Sequence, residues 1–595
     1  MMSVAAKTAQ ANLGAMPDTK GLNFFEEDQN LSFILKRYLS PDEYERALPY
    51  LTQLGELAGD RLDELSRQAD KNPPVLVNFN NKGERIDEVE YHPSYTEMRR
   101  IGFSQFALAA MSHKPVFGFS EKLPHVLKYS FWYLFSQSEF GLCCPMSMTD
   151  SAARVLTKYA DQQMKDKYLP HMTSTNLNDL WMCAQFMTEK QGGSDVGANT
   201  LTAKKAGDHW ELYGDKWFCS NVSAELALVL ARPEGAVEGT RGLGLFLMPR
   251  RLSDGSLNRY KINRLKDKMG TKDFASGEIT FEGAVAYVVG DISKGFKQMM
   301  SMVNSSRLSN AIRASAMMRR TYLEALVSAR GRKAFGSSIA EKPLMKETLF
   351  ELLLDAEAAQ ASCFYTASVY DKADQGSISN DKLLRILTPI LKGYICKRAR
   401  YATGEGMEAR GGNGYIEDWV DPKLVRDAHL GSIWEGTTNI ISLDILRALQ
   451  KDQAGEVFFG DIKQRINEVT APLAKEAAEV LLQITNKIEA QTKRIISLNG
   501  PEKELPSKQL LNRMYHVFAA SLLLEEANEQ IIAGGNYRKL YMTLEYINRF
   551  MLANGLDDTL LSNPSLLEWF DAIADGEKLP ASALEGLLAR VQNAI

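Results

Sequence analysis

Over roughly the first 180 residues, apolar positions recur three and four apart, the spacing that lines one face of an α-helix. The stretch "LSPDEYERALPYLTQLGELAGDRLDELSRQ" opens with Ser40 as N-cap, Pro41 at the first helical position and Glu43 completing a capping box. "SAARVLTKYADQQMKDKYLPHM" repeats the pattern and is expected to end near Pro170. From about Cys183 the period shortens. "HWELYGDKWFCSN" reads as two β-prone runs joined by a hairpin turn at Gly214-Asp215. "LALVLAR", "GLGLFLMP" and "GEITFEGAVAYVVG" continue in that style.

Helical spacing returns at about residue 294. Between Arg307 and Arg332, Ile312, Ala316, Leu323 and Val327 share one face, with no proline or glycine before Gly331. "KPLMKETLFELLLDAEAAQASCFYTASVYDKA" and "DKLLRILTPILKGYICKRARYATGEGMEA" predict two more long helices, and hence a bundle up to about residue 450. Beyond it lie further helical stretches separated by the breaker-rich "LNGPEKELPSK". The predicted class is α+β multidomain: a helical domain over 1–182, a β barrel or sandwich over 183–292, a four-helix bundle over 293–450 and an additional helical domain over 451–595. A chain of 595 residues exceeds what a single core supports.

Composition narrows the function. A net charge of −4 supplies no overall field for nucleic acid or an anionic membrane. The six cysteines, at 143, 144, 183, 219, 363 and 396, form no metal-ligand spacing, and no metal is expected. The N-terminus lacks the apolar core of a secretory signal and no run approaches a membrane span, so a cytoplasmic protein is expected. No phosphate-binding P-loop, H-E-x-x-H or nucleophile elbow occurs. Gly404 to Ala409 fits a loose dinucleotide fingerprint, but helix-forming sequence precedes it in place of the strand that motif needs.

The candidate chemistry lies in separated motifs. "MTEKQGGSDVGANT" pairs hydroxyls with adjacent glycines that let backbone N–H groups approach a ligand. "KWFCSN" is a strand with two aromatics and a hydroxyl, and "RGRKAFG" ends a helix with cations suited to phosphate oxygens. "GGNGY" closes another helix. "GSIWEGTTNI" sets Glu435 between a tryptophan and a glycine, with no lysine in the segment to neutralise it. Taken singly, each is an ordinary turn, strand or helix cap.

Together and in this order they resemble the acyl-CoA dehydrogenase superfamily of FAD enzymes, over about residues 30 to 450. "MTEKQGGSDV" is similar to the family's T-E-x-x-x-G-S-D, "RKAFG" to its R-x-x-F-G, "MEARGGNGY" to its glycine-rich helix end and "IWEGTTNI" to the segment carrying the catalytic base. The resemblance implies that Met187, Thr188, Gly193, Ser194, Phe218 and Ser220 surround the flavin ring and ribityl chain. It implies that Arg332, Phe335, Glu408, Gly411 and Gly412 contact a pyrophosphate and adenosine, with Thr437 and Asn439 near the cofactor. Ser194, Asn304, Arg307, Trp434 and Gly436 are implied to bind the acyl-CoA, and Glu435 to be the base.

Arg307 and Arg332 lie 25 positions apart, about 37 Å along one helix. One extended FAD does not span that distance and also fill the active site, so the two arginines are expected to serve different FAD molecules across subunit interfaces. A homo-oligomer, the family's dimer of dimers, follows. Four positions depart from the family pattern. Lys190 and Gln191 follow Glu189, Ser220 replaces threonine, and Glu408 replaces glutamine. A carboxylate at 408 would be repelled by a pyrophosphate, so it is expected to meet a ribose hydroxyl or to point elsewhere.

The implied reaction is α,β-desaturation of a medium- to long-chain acyl-CoA to the trans-2-enoyl-CoA, with electrons passing to an electron-transfer flavoprotein or similar acceptor. Desolvation by apolar neighbours is expected to raise the proton affinity of Glu435. Two other readings stay open. The wording of "MTEKQGGSDV", "RLKDKMG", "AMMRR" and "SIWEG" resembles the DNA-alkylation-response branch, whose members associate with double-stranded DNA. Residues 451–595 hold 9 Lys and 6 Arg against 6 Asp and 14 Glu, and an acidic extension is poorly suited to phosphate contacts, so nucleic acid is not the expected partner. The third reading is an acyl-CoA sensor with slow turnover.

Overall fold

The computed structural model describes residues 16–552 and 563–594. The chain forms two compact units: Glu45–Ser309, and the segment up to Tyr44 together with the chain from Asn310 onward.

The Ser40 capping box forms as expected. The Ser40 N–H donates to Glu43 Oε2 at 2.8 Å, and the Glu43 N–H donates back to Ser40 Oγ at 3.3 Å, starting the Pro41–Gly59 helix. Two expectations for the first 180 residues need correction. Strands β1 (Val75–Phe79) and β2 (Arg85–Glu90) form an antiparallel hairpin inside the helical stretch. "VLVNFNNKGERIDEVE" carries the signal, since two β-prone runs flank a turn whose Gly83 sits at φ +77°. The 151–172 stretch is two helices, Cys143–Tyr159 and Gln162–Met172. The second starts where the Asp161 carboxylate accepts from the Met164 N–H and runs through Pro170 to Met172.

The β region is a closed barrel. Its strands are β3 (Cys183–Phe186), β4 (Thr202–Ala206), β5 (His209–Ser220), β6 (Leu226–Pro233), β7 (Gly244–Pro249), β8 (Tyr260–Leu265) and β9 (Ser276–Val288). β6 pairs β7 on one edge and both β3 and β4 on the other, while β5 joins β4 to β9 and β9 joins β7, which closes the ring. The hairpin turn is at Gly207-Asp208, and β5 runs unbroken through Gly214-Asp215. Gly214, at φ +127°, stays in register opposite Phe281 of β9, and a Cβ there would lie 3.1 Å from Leu201 Cδ1.

In the other unit the Pro343–Asp374 and Ile378–Arg410 helices lie antiparallel across a short turn at Gly376. The Gly295–Gly331 helix is buried on every side from Ser305 to Ala329, where the sequence predicted one apolar face. Its buried arginines and glutamate are matched by partners, as where Arg320 meets Glu324 at 2.8 Å. Chain beyond residue 450 packs into this same unit. Buried Glu357 of the bundle takes Arg538 at 2.5 Å and Lys539 at 2.8 Å, and Lys539 also meets Glu526 at 2.6 Å. No helix among the described residues is long and apolar enough to cross a membrane, and no group of their side chains is arranged to hold a metal ion.

Candidate active site

"GSIWEGTTNI" becomes a tight turn between the Asp421–Gly431 and Thr438–Gln450 helices. Glu435 sits at φ +58° and Gly436 at φ +108°, both in the left-handed region. For a glutamate that conformation costs about 1–3 kcal/mol and persists only where the surroundings over-determine it. Three anchors do so. Asn310 Nδ2 donates to the Gly431 carbonyl at 2.9 Å, the Arg313 guanidinium lies 5.1 Å from the centre of the Trp434 ring, and Lys392 Nζ donates to the Gly436 carbonyl.

Beside the expected apolar neighbours, these contacts bring two cations from other helices to the turn. Arg313 and Lys392 come from the Gly295–Gly331 and Ile378–Arg410 helices, and both are buried. Cys396, one turn beyond Lys392, senses all three charges. Burial pushes its thiol up to about 12, Lys392 and Arg313 pull it down, and Glu435 pushes it up. Glu435 is itself half-buried, as are Trp434 and Gly436. Thr437 and Asn439 are exposed at the start of the following helix.

A second group gathers where helices end. The Arg332 guanidinium donates to the Arg410 carbonyl at 2.8 Å, beside Gly411 at φ +71°. Gly411 and Gly412 are exposed, and a Cβ on Gly412 would meet nothing within 4 Å, so an anionic group has open access to backbone beside a guanidinium. Gly414 shapes the turn, since a Cβ there would lie 2.2 Å from the Met407 carbonyl oxygen. Phe335 is 96% exposed at the tip of a small hairpin, at φ +51°. Glu408 is exposed, and its backbone carbonyl accepts from the Gly411 N–H at 2.8 Å.

The third group lies on the barrel. Met187 and Thr188 leave β3, and the Met187 carbonyl accepts from Asn199 at 2.8 Å and Lys216 at 3.0 Å. A Cβ on Gly193 would approach Thr188 Oγ1 to 2.7 Å, so glycine is what allows this turn to close. Ser194 is exposed, Phe218 presents an aromatic face from β5 that is 57% exposed, and Ser220 Oγ lies 3.4 Å from Ser276 Oγ. Glu189 folds inward onto buried Lys216 at 2.9 Å. Burial opposes its charge, but Lys216 and the Thr200 and Leu201 N–H groups hold its carboxyl below the usual range. Asn304 and Arg307 pair on their helix at 3.2 Å.

Sequence reasoning missed Arg313, Lys392 and Asn310. Each lies far from Glu435 in the chain, and each looks from local sequence like an ordinary helical residue.

Profiles of known families match most of the chain: the adaptive response protein AidB N-terminal domain over residues 15–179, the acyl-CoA dehydrogenase middle domain over 184–284 and the acyl-CoA dehydrogenase C-terminal domain over 293–450. Acyl-CoA dehydrogenase family member 11 of Caenorhabditis elegans is 31% identical over 86% of this chain and 85% of its own. Putative acyl-CoA dehydrogenase AidB of Escherichia coli is 32% identical over 74% of this chain and 83% of its own. The crystal structure of C. elegans ACDH-11 in complex with C11-CoA superposes with a TM-score of 0.83 at 28% identity, covering 92% of this chain and 94% of that one. A barrel flanked by helical regions and a glutamate held on a turn between two helices thus go with matches over nearly the whole sequence: the chain belongs to the acyl-CoA dehydrogenase family, as an AidB-like member.

Proposed function

We propose that this protein is an FAD-dependent acyl-CoA dehydrogenase that desaturates a medium- to long-chain fatty acyl-CoA, with Glu435 as the base. The observation that carries the reading is the Glu435 turn, whose strained backbone is held from three sides by buried residues. Its carboxylate takes the substrate α-proton. The Glu435 N–H donates to the thioester oxygen, where charge develops in the transition state. Trp434 shields one side from water, and Gly436 leaves room for the acyl chain. Asn304, Arg307 and Ser194 line the path of the acyl-CoA.

The residues present fit a flavin dinucleotide. An exposed aromatic face and a hydroxyl-rich, glycine-closed turn suit a ring and ribityl chain, and open glycines beside a guanidinium suit a pyrophosphate. Met187, Thr188, Gly193, Ser194, Phe218 and Ser220 would hold the first part, and Arg332, Phe335, Gly411 and Gly412 the second, with Thr437 and Asn439 nearby. FAD, when bound, supplies the acceptor for the β-hydrogen as hydride. An electron-transfer flavoprotein or similar acceptor would take up the electrons. A homo-oligomer, a dimer of dimers with FAD at a subunit interface, completes the reading.

The C11-CoA bound to the C. elegans relative supports the substrate class. The test is anaerobic titration of the yellow protein with straight-chain acyl-CoAs of increasing length. Bleaching of the flavin is expected, strongest for medium to long chains. No bleaching at any length, together with tight salt-sensitive binding of duplex DNA, would replace this reading by a DNA-associated one.

A further inference from the structure

The Glu435 turn is gripped by cations that the desaturation chemistry does not itself require. Lys392 stands in the Ile378–Arg410 helix with its side chain 1% exposed on the residue scale, and its Nζ donates to the carbonyl of Gly436, the residue that follows the base. Arg313 is equally buried, and its guanidinium covers the Trp434 ring, the residue before the base, at 5.1 Å. The cations therefore bracket Glu435 along the chain. They also share its field, because the Cys396 thiol senses Lys392, Glu435 and Arg313 together. Burial lowers the effective dielectric and lengthens the reach of each charge.

We propose that Lys392 and Arg313 are positioning residues for Glu435, fixing the left-handed turn that presents its carboxylate and keeping that carboxylate ionised when substrate displaces water. This rests on the reading of Glu435 as the base. A carboxylate in an emptied site would otherwise take up a proton and be useless as a base. The cations counter that tendency, and the hydrogen bond to Gly436 prevents the peptide from relaxing out of the strained conformation. Other charged groups around the turn have their own partners. Lys423 meets Asp427 at 2.7 Å on the preceding helix, Arg385 meets Asp444 at 2.7 Å on the following one, and Arg400 donates to Ser432 Oγ at 3.3 Å.

The test is infrared titration of the Glu435 carboxyl in the FAD-loaded full-length protein, with the band assigned by its absence in Glu435→Gln. Lys392→Gln keeps a donor for the Gly436 carbonyl but removes the charge, and Lys392→Arg keeps the charge. The Glu435 midpoint is expected to rise by about one pH unit or more in Lys392→Gln and to stay in place in Lys392→Arg. The acidic limb of the flavin-bleaching rate with a straight-chain C11 acyl-CoA is expected to move by the same amount. An unmoved midpoint in Lys392→Gln overturns the proposal. Should that variant not fold, Arg313→Gln reads the same midpoint, and no shift there overturns it equally. Full bleaching by Glu435→Gln would instead refute the base assignment, a separate result from either midpoint.

Discussion

Asp150 shows how a buried carboxylate is governed by cations distant in sequence. Asp150 lies in the Cys143–Tyr159 helix, where it accepts from Lys128, from His113 at 2.9 Å and from Ser112 at 2.5 Å. Burial pushes its proton affinity up, but Lys128 and His113 override this and hold the carboxyl well below the usual range. A folded-state value below the unfolded one gives stabilisation that is complete above the unfolded pKa and disappears as the pH falls through the folded value. The expected outcome is that Asp150→Asn costs roughly 3–5 kcal/mol at neutral pH, because Lys128 keeps its charge and loses its partner. The variant should also show a shallower acid-induced loss of thermal stability than the parent, measured by melting from about pH 5 down to about pH 2, across and below the unfolded carboxyl value of roughly 4. At this scale the motif residues were legible, because glycine, hydroxyl and carboxylate types at fixed offsets report local geometry. Lys392 and Arg313 were not, since nothing in "PILKGYICK" or "NAIRASA" marks a residue that turns toward a segment many positions away.

At the scale of elements, the role of the chain after residue 450 comes into view. Gly393, beside Lys392, lies where the Ile378–Arg410 helix meets two others: a Cβ there would come within 2.5 Å of Leu511 Cδ1 and 2.8 Å of Ile441 Cγ2. Leu511 belongs to the Ser507–Gly534 helix and Ile441 to the helix that follows the Glu435 turn. The extension thus braces the helix that carries Lys392. Gly393→Ala is expected to destabilise the protein by about 1–3 kcal/mol through overpacking, and to slow flavin bleaching more than it weakens FAD binding. Equal loss of both would argue against a specific brace. Long helices with three-and-four spacing were readable in advance, as was the capping box. The β1–β2 hairpin and the Gly207 turn were not, because short strands give weak periodic signals and Gly214-Asp215 imitates a hairpin turn inside one continuous, regularly paired stretch of strand.

For the whole molecule, the separation of Arg307, inside the Gly295–Gly331 helix, from Arg332, one residue past its end, leads to the expectation of a homo-oligomer sharing FAD across interfaces. Light scattering on the FAD-loaded protein should give a mass of two or four chains, and Arg332→Ala should lose FAD and mass together. A monomer with full FAD content would contradict the arrangement. Family and fold order were legible from motif order, whereas substrate length was not, because pocket depth is set by side chains from several helices. The central claim is that Glu435 removes the α-proton, and single-turnover reduction under anaerobic conditions tests it most directly. Glu435→Gln with a straight-chain C11 acyl-CoA is expected to keep its FAD and bind the thioester while bleaching at least about 10²-fold more slowly than the parent. Bleaching at the parent rate would contradict the account.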